Sequence, residues 1–571
     1  MKSKALWVLP LAAAMSVSAA GAQSASPANI PSSSHDAVLV RQLDEARQQL
    51  AAQAELLSQM RSELSRQAEA INQLRSQQDS FAQSRLAASS EDAARLQNAV
   101  LLLRSGQPAL QPTLAVARPV QQAAKPAAAN QPGELFFKLG NAKFTPGGWF
   151  DLTALYRTTA IGSGLGTTLQ SIPFNNTTTG GLTEFRMSAQ ASRVILRIDE
   201  QIKKARIFGY VEADFIGYQP SNAYVSTNAN TFRMRTFYTN IAWDKWELLG
   251  GQAWSLLTPS RKSLTPYVAD LFIGSNIDNS YQAGLTYARQ AQVRLLYHAT
   301  PSVTAGLSLE NPEQFSGSAV TFPTLFSNTE TDINSGTSAG GSTATPNLHP
   351  DIVAKLAFDH PVFGLPWHAG VAGLLTPTRI ITPAPVTKTT ASKDTREGAG
   401  ITGEFNLQLA KKFRAIATGY WSDGGARYIG GTGPAFVALQ NGSTTAPFSA
   451  ALIHSGSGIG GFEWAATKKT NVSALGSAIY FQRRYGVDPS VKTPVTYVGY
   501  GFPGSANTNN RVIREYSLAT DTTLWQNPQY GAIRLVTQTS YLWRAPWYVA
   551  PNNPKDAHAV LQFVSLRFVI P

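Results

Sequence analysis

From about residue 135 onward the sequence repeats with a period of two, and no other feature constrains the fold as much. Val303, Ala305, Leu307 and Leu309 alternate with Thr304, Gly306, Ser308 and Glu310. Ile352, Ala354, Leu356 and Phe358 alternate with Val353, Lys355, Ala357 and Asp359. Ile401, Gly403, Phe405, Leu407 and Leu409 alternate with Thr402, Glu404, Asn406 and Gln408. Successive side chains of a strand point to opposite faces, so each segment has one apolar and one wet face and can cross a membrane once. Tight connections (299–302, 410–412) alternate with long ones rich in Gly, Ser, Thr and Asn (316–350, 423–457). Crossings are expected to start near residues 146, 185, 205, 231, 246, 286, 302, 351, 366, 397, 412, 457, 470, 511, 530 and 557. That makes about sixteen antiparallel strands, an even number that returns both ends to one side. An open edge in lipid would leave backbone groups unpaired at several kcal/mol each, so the sheet is expected to close. The expected fold is an all-β transmembrane barrel over 134–571, preceded by an N-terminal α-helical coiled coil.

The first residues read as an export signal. Lys2 and Lys4 precede a short apolar stretch from Leu6 to Val17, and Ala20-Gly21-Ala22 is an A-x-A cleavage site, which makes 1–22 a signal peptide. The chain has no cysteine, so disulfides, a lipoprotein anchor, thiolate metal sites and a cysteine nucleophile are excluded. After the signal no run of about 18 apolar residues occurs, and no transmembrane helix is expected. Over 36–104 the period changes to seven. Leu43, Leu50, Leu57, Leu64 and Ile71 form one line of a heptad seam, and Leu39, Ala46, Gln53, Met60, Gln67, Leu74 and Phe81 the other. One helix cannot bury such a seam alone, so self-association is expected, with Gln53 and Gln67 fixing register. Residues 105–133, punctuated by Pro108, Pro112, Pro119, Pro126 and Pro132, form a Pro/Ala-rich linker.

The formal net charge is +13. From Glu134 to the end, 36 Lys and Arg stand against 26 Asp and Glu, so the excess belongs to the barrel. Export argues against nucleic acid as a partner and favours small anionic solutes or anionic headgroups of outer-membrane lipid. An arginine facing lipid at mid-membrane costs about 2–4 kcal/mol, so strand arginines belong to the lumen. Arg193 and Arg197 share a face of the second strand, Arg233 and Arg235 one of the fourth, and Arg294 joins Gln290 and Gln292 on the sixth. Tyr210, Glu212 and Asp214 on the third strand would be their counter-charges. Left in excess, such arginines attract anions; fully paired, they are a structural ladder. Enzyme readings find little support. The seven histidines show no H-x-x-x-H or H-E-x-x-H spacing, and no G-x-S-x-G comes with a supporting triad, so neither metal nor cofactor is expected. Trp243, Trp246, Trp367 and Trp543 near strand ends are expected in an interfacial aromatic girdle.

Several motifs in order carry a resemblance. They are Ala191-Ser192-Arg193, Gly209-Tyr210-Val211-Glu212-Ala213-Asp214-Phe215, Arg233-Met234-Arg235 and Gly251-Gln252-Ala253-Trp254-Ser255. Arg289-Gln290-Ala291-Gln292-Val293-Arg294, Glu310-Asn311-Pro312-Glu313, Pro350-Asp351-Ile352-Val353 and the ending Leu566-Arg567-Phe568-Val569-Ile570-Pro571 continue them. Over most of 145–571 the chain resembles the DcaP-like porins of Gram-negative bacteria. The resemblance implies a homotrimer of sixteen-stranded channels for dicarboxylates and related anions, in the outer membrane with the coil in the periplasm. It also implies that the third long loop, 257–280, folds inward and brings Arg261 and Lys262 to the pore. Two other readings stay open: a structural protein whose coil tethers the membrane, with possible cell-wall contact, and a sugar channel, which would need a line of lumen aromatics.

Overall fold

The computed structural model describes residues 135–571 except 218–229, 268–270, 272–275, 314, 317–318, 327–347, 383 and 388–389. The signal segment, the heptad seam with Leu43, Leu50, Leu57, Leu64 and Ile71, and the linker lie outside the described residues. Among the described residues, sixteen long strands build one closed antiparallel sheet, and a short strand, Phe137–Leu139, pairs back on the start of the first. They are β1 (Ala142–Arg157), β2 (in two segments, Glu184–Ser188 and Arg193–Ile202), β3 (Ala205–Asp214) and β4 (Arg233–Trp243). Next come β5 (Trp246–Trp254), β6 (Arg289–Thr300), β7 (Val303–Glu310) and β8 (Asp351–Val362). After them follow β9 (Leu365–Thr382), β10 (Ser392–Ala410), β11 (Phe413–Asp423) and β12 (His454–Ala465). The last four are β13 (Thr470–Phe481), β14 (Asn510–Asn527), β15 (Gly531–Pro546) and β16 (Ala557–Val569). Each pairs with its sequence neighbours. β16 returns to β1, with Val569 opposite Trp149 and Leu561 opposite Arg157, and the barrel has no free edge. Every strand begins within five residues of the start expected from the alternation.

Burial is inside out. Leu307, Leu309, Leu356, Phe358, Ile401 and Phe405 stand exposed on the outer face, while Ser308, Glu310, Lys355, Thr402 and Glu404 between them are buried. Charged side chains are almost never fully buried in a soluble protein unless paired. The arrangement is stable where the outer face meets hydrocarbon and the inner face meets polar partners. Trp243, Trp246, Trp464 and Trp525 are exposed at the tight-turn end, and Trp421 and Tyr541 toward the loop end, as a girdle requires. Trp367 is half-buried and donates its indole N–H to the Gln408 carbonyl at 3.1 Å, and Trp543 lies under the Arg514 guanidinium at 5.0 Å.

The tight turns explain themselves locally. Phe363 and Gly364 between β8 and β9 both adopt left-handed φ (52° and 74°), the geometry that matches the strand twist in a two-residue hairpin. Gly148, at φ 128°, sits where β2 is interrupted; a Cβ there would collide with the Arg193 carbonyl oxygen. Two long loops carry small hairpins that the alternation does not signal: Phe436–Gln440 with Phe448–Leu452, and Arg484–Val487 with Tyr497–Tyr500. None of these strands exceeds five residues, too short to establish a period.

Candidate pore constriction

β5 ends at Trp254, and there the chain turns into the barrel rather than away from it. The described residues between 255 and 288 belong to a loop, called L3 below, and take their partners from the inner faces of distant strands. A loop in such a place must satisfy its backbone groups, and the inward polar side chains of the wall do this. At the root, Glu310 of β7 accepts the Leu256 N–H at 2.9 Å. Lys355 of β8 donates to the Thr258 carbonyl at 3.0 Å and to Glu404 of β10 at 2.8 Å. Glu404 also accepts the Ser260 hydroxyl at 2.8 Å, and Asp359 accepts the Ser263 N–H at 2.9 Å. Tyr238 of β4 donates to the Pro266 carbonyl at 3.0 Å. On the far wall, Gln538 of β15 accepts the N–H groups of Ile277 (2.6 Å) and Asp278 (3.0 Å), and Glu515 of β14 accepts that of Ala283 (2.7 Å). L3 thus crosses the lumen, as the resemblance implied.

Lys355 and Glu404 are both buried, so losing Lys355 leaves the Glu404 carboxylate buried with only His368, at 3.1 Å, and Ser260 as partners. Lys355→Met is expected to destabilise the barrel by about 3–5 kcal/mol, while Lys355→Met with Glu404→Leu recovers most of the loss. Thermal unfolding followed by circular dichroism checks this. A double variant no more stable than the single one would show that the pair does not matter.

The arginines of β2 to β4 meet where L3 leaves and re-enters the wall. Arg235 lies 2.5 Å from Glu212 and 2.8 Å from Asp214, and donates to the Tyr281 hydroxyl of L3 at 2.8 Å. Arg233 holds Asp214 at 2.8 Å, and Arg193 holds Glu212 at 3.2 Å beneath the Trp149 ring. Three guanidinium groups therefore share two carboxylates. Nearer the tight turns Arg197 and Arg206 share Asp199, at 2.5 and 3.0 Å. Arg294 stands apart. It is buried under the root of L3 and braces the Trp254 carbonyl and Gln292, so it supports the loop rather than facing the lumen. Arg261 reaches β12 and pairs with Glu463. Lys262 is exposed and has no ion pair among the described residues.

Two participants escaped the sequence reading. Arg289 lies 5.4 Å from the centre of the Trp254 ring, whose other guanidinium neighbour is Arg235 at 5.9 Å. Its Nη1 is buried without a hydrogen-bond partner, and no carboxylate pairs with it among the described residues. Alternation assigns it to the face opposite Gln290, Gln292 and Arg294, so the pattern does not mark it. Arg206 was legible, since it shares parity with Tyr210, Glu212 and Asp214.

With this geometry in place, the comparison with solved structures decides the architecture. The outer membrane channel DcaP of Acinetobacter baumannii matches with a TM-score of 0.53 at 13% identity, over 76% of this chain and 99% of that one. The chain has a porin fold. An anion-selective porin from Comamonas acidovorans also matches, with a TM-score of 0.42 at 11% identity, over 75% of this chain and 100% of that one. No family model and no curated protein sequence matches the chain. At such identities the likeness speaks for the fold alone, and the chemistry of this porin fold rests on its own residues. Arg193, Arg233, Arg235 and Arg289 against Glu212 and Asp214 leave two positive charges beside L3. Phe208 and Tyr238 also face inward, but both are buried, with Tyr267 of L3 edge-on to Phe208 at 4.6 Å, and they do not form an open aromatic track.

Proposed function

We propose that the protein is an outer-membrane porin that passes small anionic solutes, dicarboxylates among them. The observation that carries this reading is the unequal count of arginines and carboxylates on the wall of β2 to β4, beside the loop that narrows the lumen. Fixed cations along a narrow path with low-dielectric walls raise the local concentration of anions and repel cations. Guanidinium forks grip carboxylates bidentately, and a second carboxylate on the same solute can engage a second arginine. Binding has to stay weak for the solute to leave.

The test is a planar bilayer with the purified protein in a salt gradient. The reversal potential is expected on the anion side, and succinate is expected to reduce chloride current. Selectivity should fall as salt rises past about 0.1 M, where the Debye length is about 10 Å. A cation-selective reversal potential at low salt would end the proposal.

The assembly belongs to the same reading: a homotrimer with its barrels side by side and three coils joined in the periplasm. The seam from Leu39 to Phe81 supports it, and as a helix at 1.5 Å per residue it would reach about 60 Å. Cross-linking of the detergent complex is expected to show a trimer. Deleting 36–104 is expected to weaken it without abolishing it, since apolar barrel walls also bury surface against one another. A dominant monomer in the full chain would remove this part of the proposal.

A further inference from the structure

A second concentration of positive charge lies at the tight-turn end, on the opposite wall from the β2–β4 arginines. A cavity of about 360 Å³ there is lined by Arg261, Lys411, Lys412, Arg414, Glu463 and Asp521, with neighbouring neutral residues. That volume falls within the range of about 300–1,000 Å³ typical of small-molecule sites. Two arginines from different elements converge on one acid: Glu463 of β12 accepts from Arg261 of L3 at 2.6 Å and lies 3.5 Å from Arg414 of β11. Asp521 of β14 is engaged by Arg534 of β15, whose Nε donates to it at 2.9 Å, so that pair adds no net charge. Lys411 and Lys412 form the turn between β10 and β11, are exposed, and have no ion pair among the described residues. Arg261 and Arg414 share Glu463, and Lys411 and Lys412 add two cations beside the same small space.

We propose that this cavity is a binding site for a small polyanion, an inorganic phosphate or a multiply charged carboxylate, entered from the tight-turn mouth. Two lysines beside two guanidinium groups that share one acid suit a di- or trianion better than a singly charged ion. The donors stand in the right relation for one. The ammonium groups come from an exposed turn and can swing toward the cavity, while the guanidinium groups are held in place by Glu463 and, for Arg414, by Gln408, whose Oε1 accepts its Nε at 3.1 Å. Arg261 ties this site to the constriction, because it sits on the loop that crosses the lumen. A polyanion seated against Arg261 competes with Glu463 for it and so bears on the position of L3. The site deepens the anion-channel reading, but its occupancy can be measured without any current.

The experiment uses the full-length protein in detergent with inorganic phosphate as the probe, followed by ³¹P line broadening. Saturable broadening is expected, and Lys411→Gln with Lys412→Gln is expected to weaken the apparent affinity roughly tenfold, from a few-fold for each charge removed at contact distance in water. These lysines lie in a turn outside the strand pairing, so heat-resistant folding should persist. Glu463→Gln is expected to do the opposite and tighten phosphate, by removing the negative charge that two guanidinium groups share. In bilayers, phosphate added on the tight-turn side should block chloride current at lower concentration than phosphate added on the loop side, and the lysine double variant should lose that asymmetry. Broadening that does not saturate, or that the double variant leaves unchanged, overturns the site even if the channel is anion-selective. A cation-selective channel that still binds phosphate in a Lys411- and Lys412-dependent way overturns the transport reading and leaves the site standing.

Discussion

Arg289→Gln is expected to cut the preference of the channel for chloride over potassium by up to roughly sixteenfold at low salt, since one charge about 5 Å away in water changes the level of each ion about fourfold in opposite senses. The substitution isolates charge from structure, because Arg289 pairs with no carboxylate among the described residues and its loss strands none. Arg233→Gln with Arg235→Gln should act more strongly on current, bringing the count beside L3 from two positive charges to none. It should also abolish block by succinate. That variant carries a second effect, since both acids are buried, Glu212 would keep only Arg193 and Asp214 would lose both of its arginines. Breaking a buried pair typically costs about 3–5 kcal/mol, so its thermal stability must be measured beside its selectivity. Asp214→Asn, which removes negative charge from the same cluster, should move the reversal potential the other way. If Arg289→Gln and the double variant both keep the original reversal potential, the arginines are a scaffold for the wall, and selection happens elsewhere.

Loosening L3 on the far wall, where Gln282 would still hold Ser477 and Ser517, should raise single-channel conductance about twofold or more and lower anion selectivity at the same time. Gln538→Leu with Glu515→Leu removes the acceptors for three L3 backbone N–H groups, those of Ile277, Asp278 and Ala283. Each donor left without a partner in a buried setting costs about 1–3 kcal/mol, enough to shift the loop toward released states without touching the sheet hydrogen bonds. Larger neutral polymers should then enter the lumen, and current noise should increase. The contacts at the root, from Glu310, Lys355 and Glu404, remain, so L3 stays tethered on the β7–β10 side. Unchanged conductance and polymer exclusion would mean that the Gln538 and Glu515 side-chain contacts do not set the width of the path.

The legibility of this molecule follows one physical rule. A strand between lipid and water must alternate, so Leu307 and Phe405 outside with Ser308 and Glu404 inside could be read directly, and with them the sixteen crossings and their near ends. The same parity placed Arg193, Arg197, Arg233 and Arg235 on the inner face, and would have placed Arg206. Parity stops at strand ends, where backbone direction changes freely. Arg289 lies at such an end, and its place against Trp254 depends on how L3 returns to the wall. Arg294 has the parity of a lumen residue, yet is buried, because the root of L3 packs over it from the end of the neighbouring strand.

Alternation, the cost of an unpaired edge in lipid and the excess of basic residues are properties of the chain itself, and they determined a closed barrel with a cationic interior. Which cations stay uncompensated was decided only in three dimensions. Arg235 lies 23 residues from Glu212, Arg261 lies 202 from Glu463, and Ala283 lies 232 from Glu515, and no local period connects such partners. Closing the sheet brings distant walls within reach of one crossing loop. Net charge at each point of the lumen is then set by which side chains that loop and those walls bring within a few ångströms of one another.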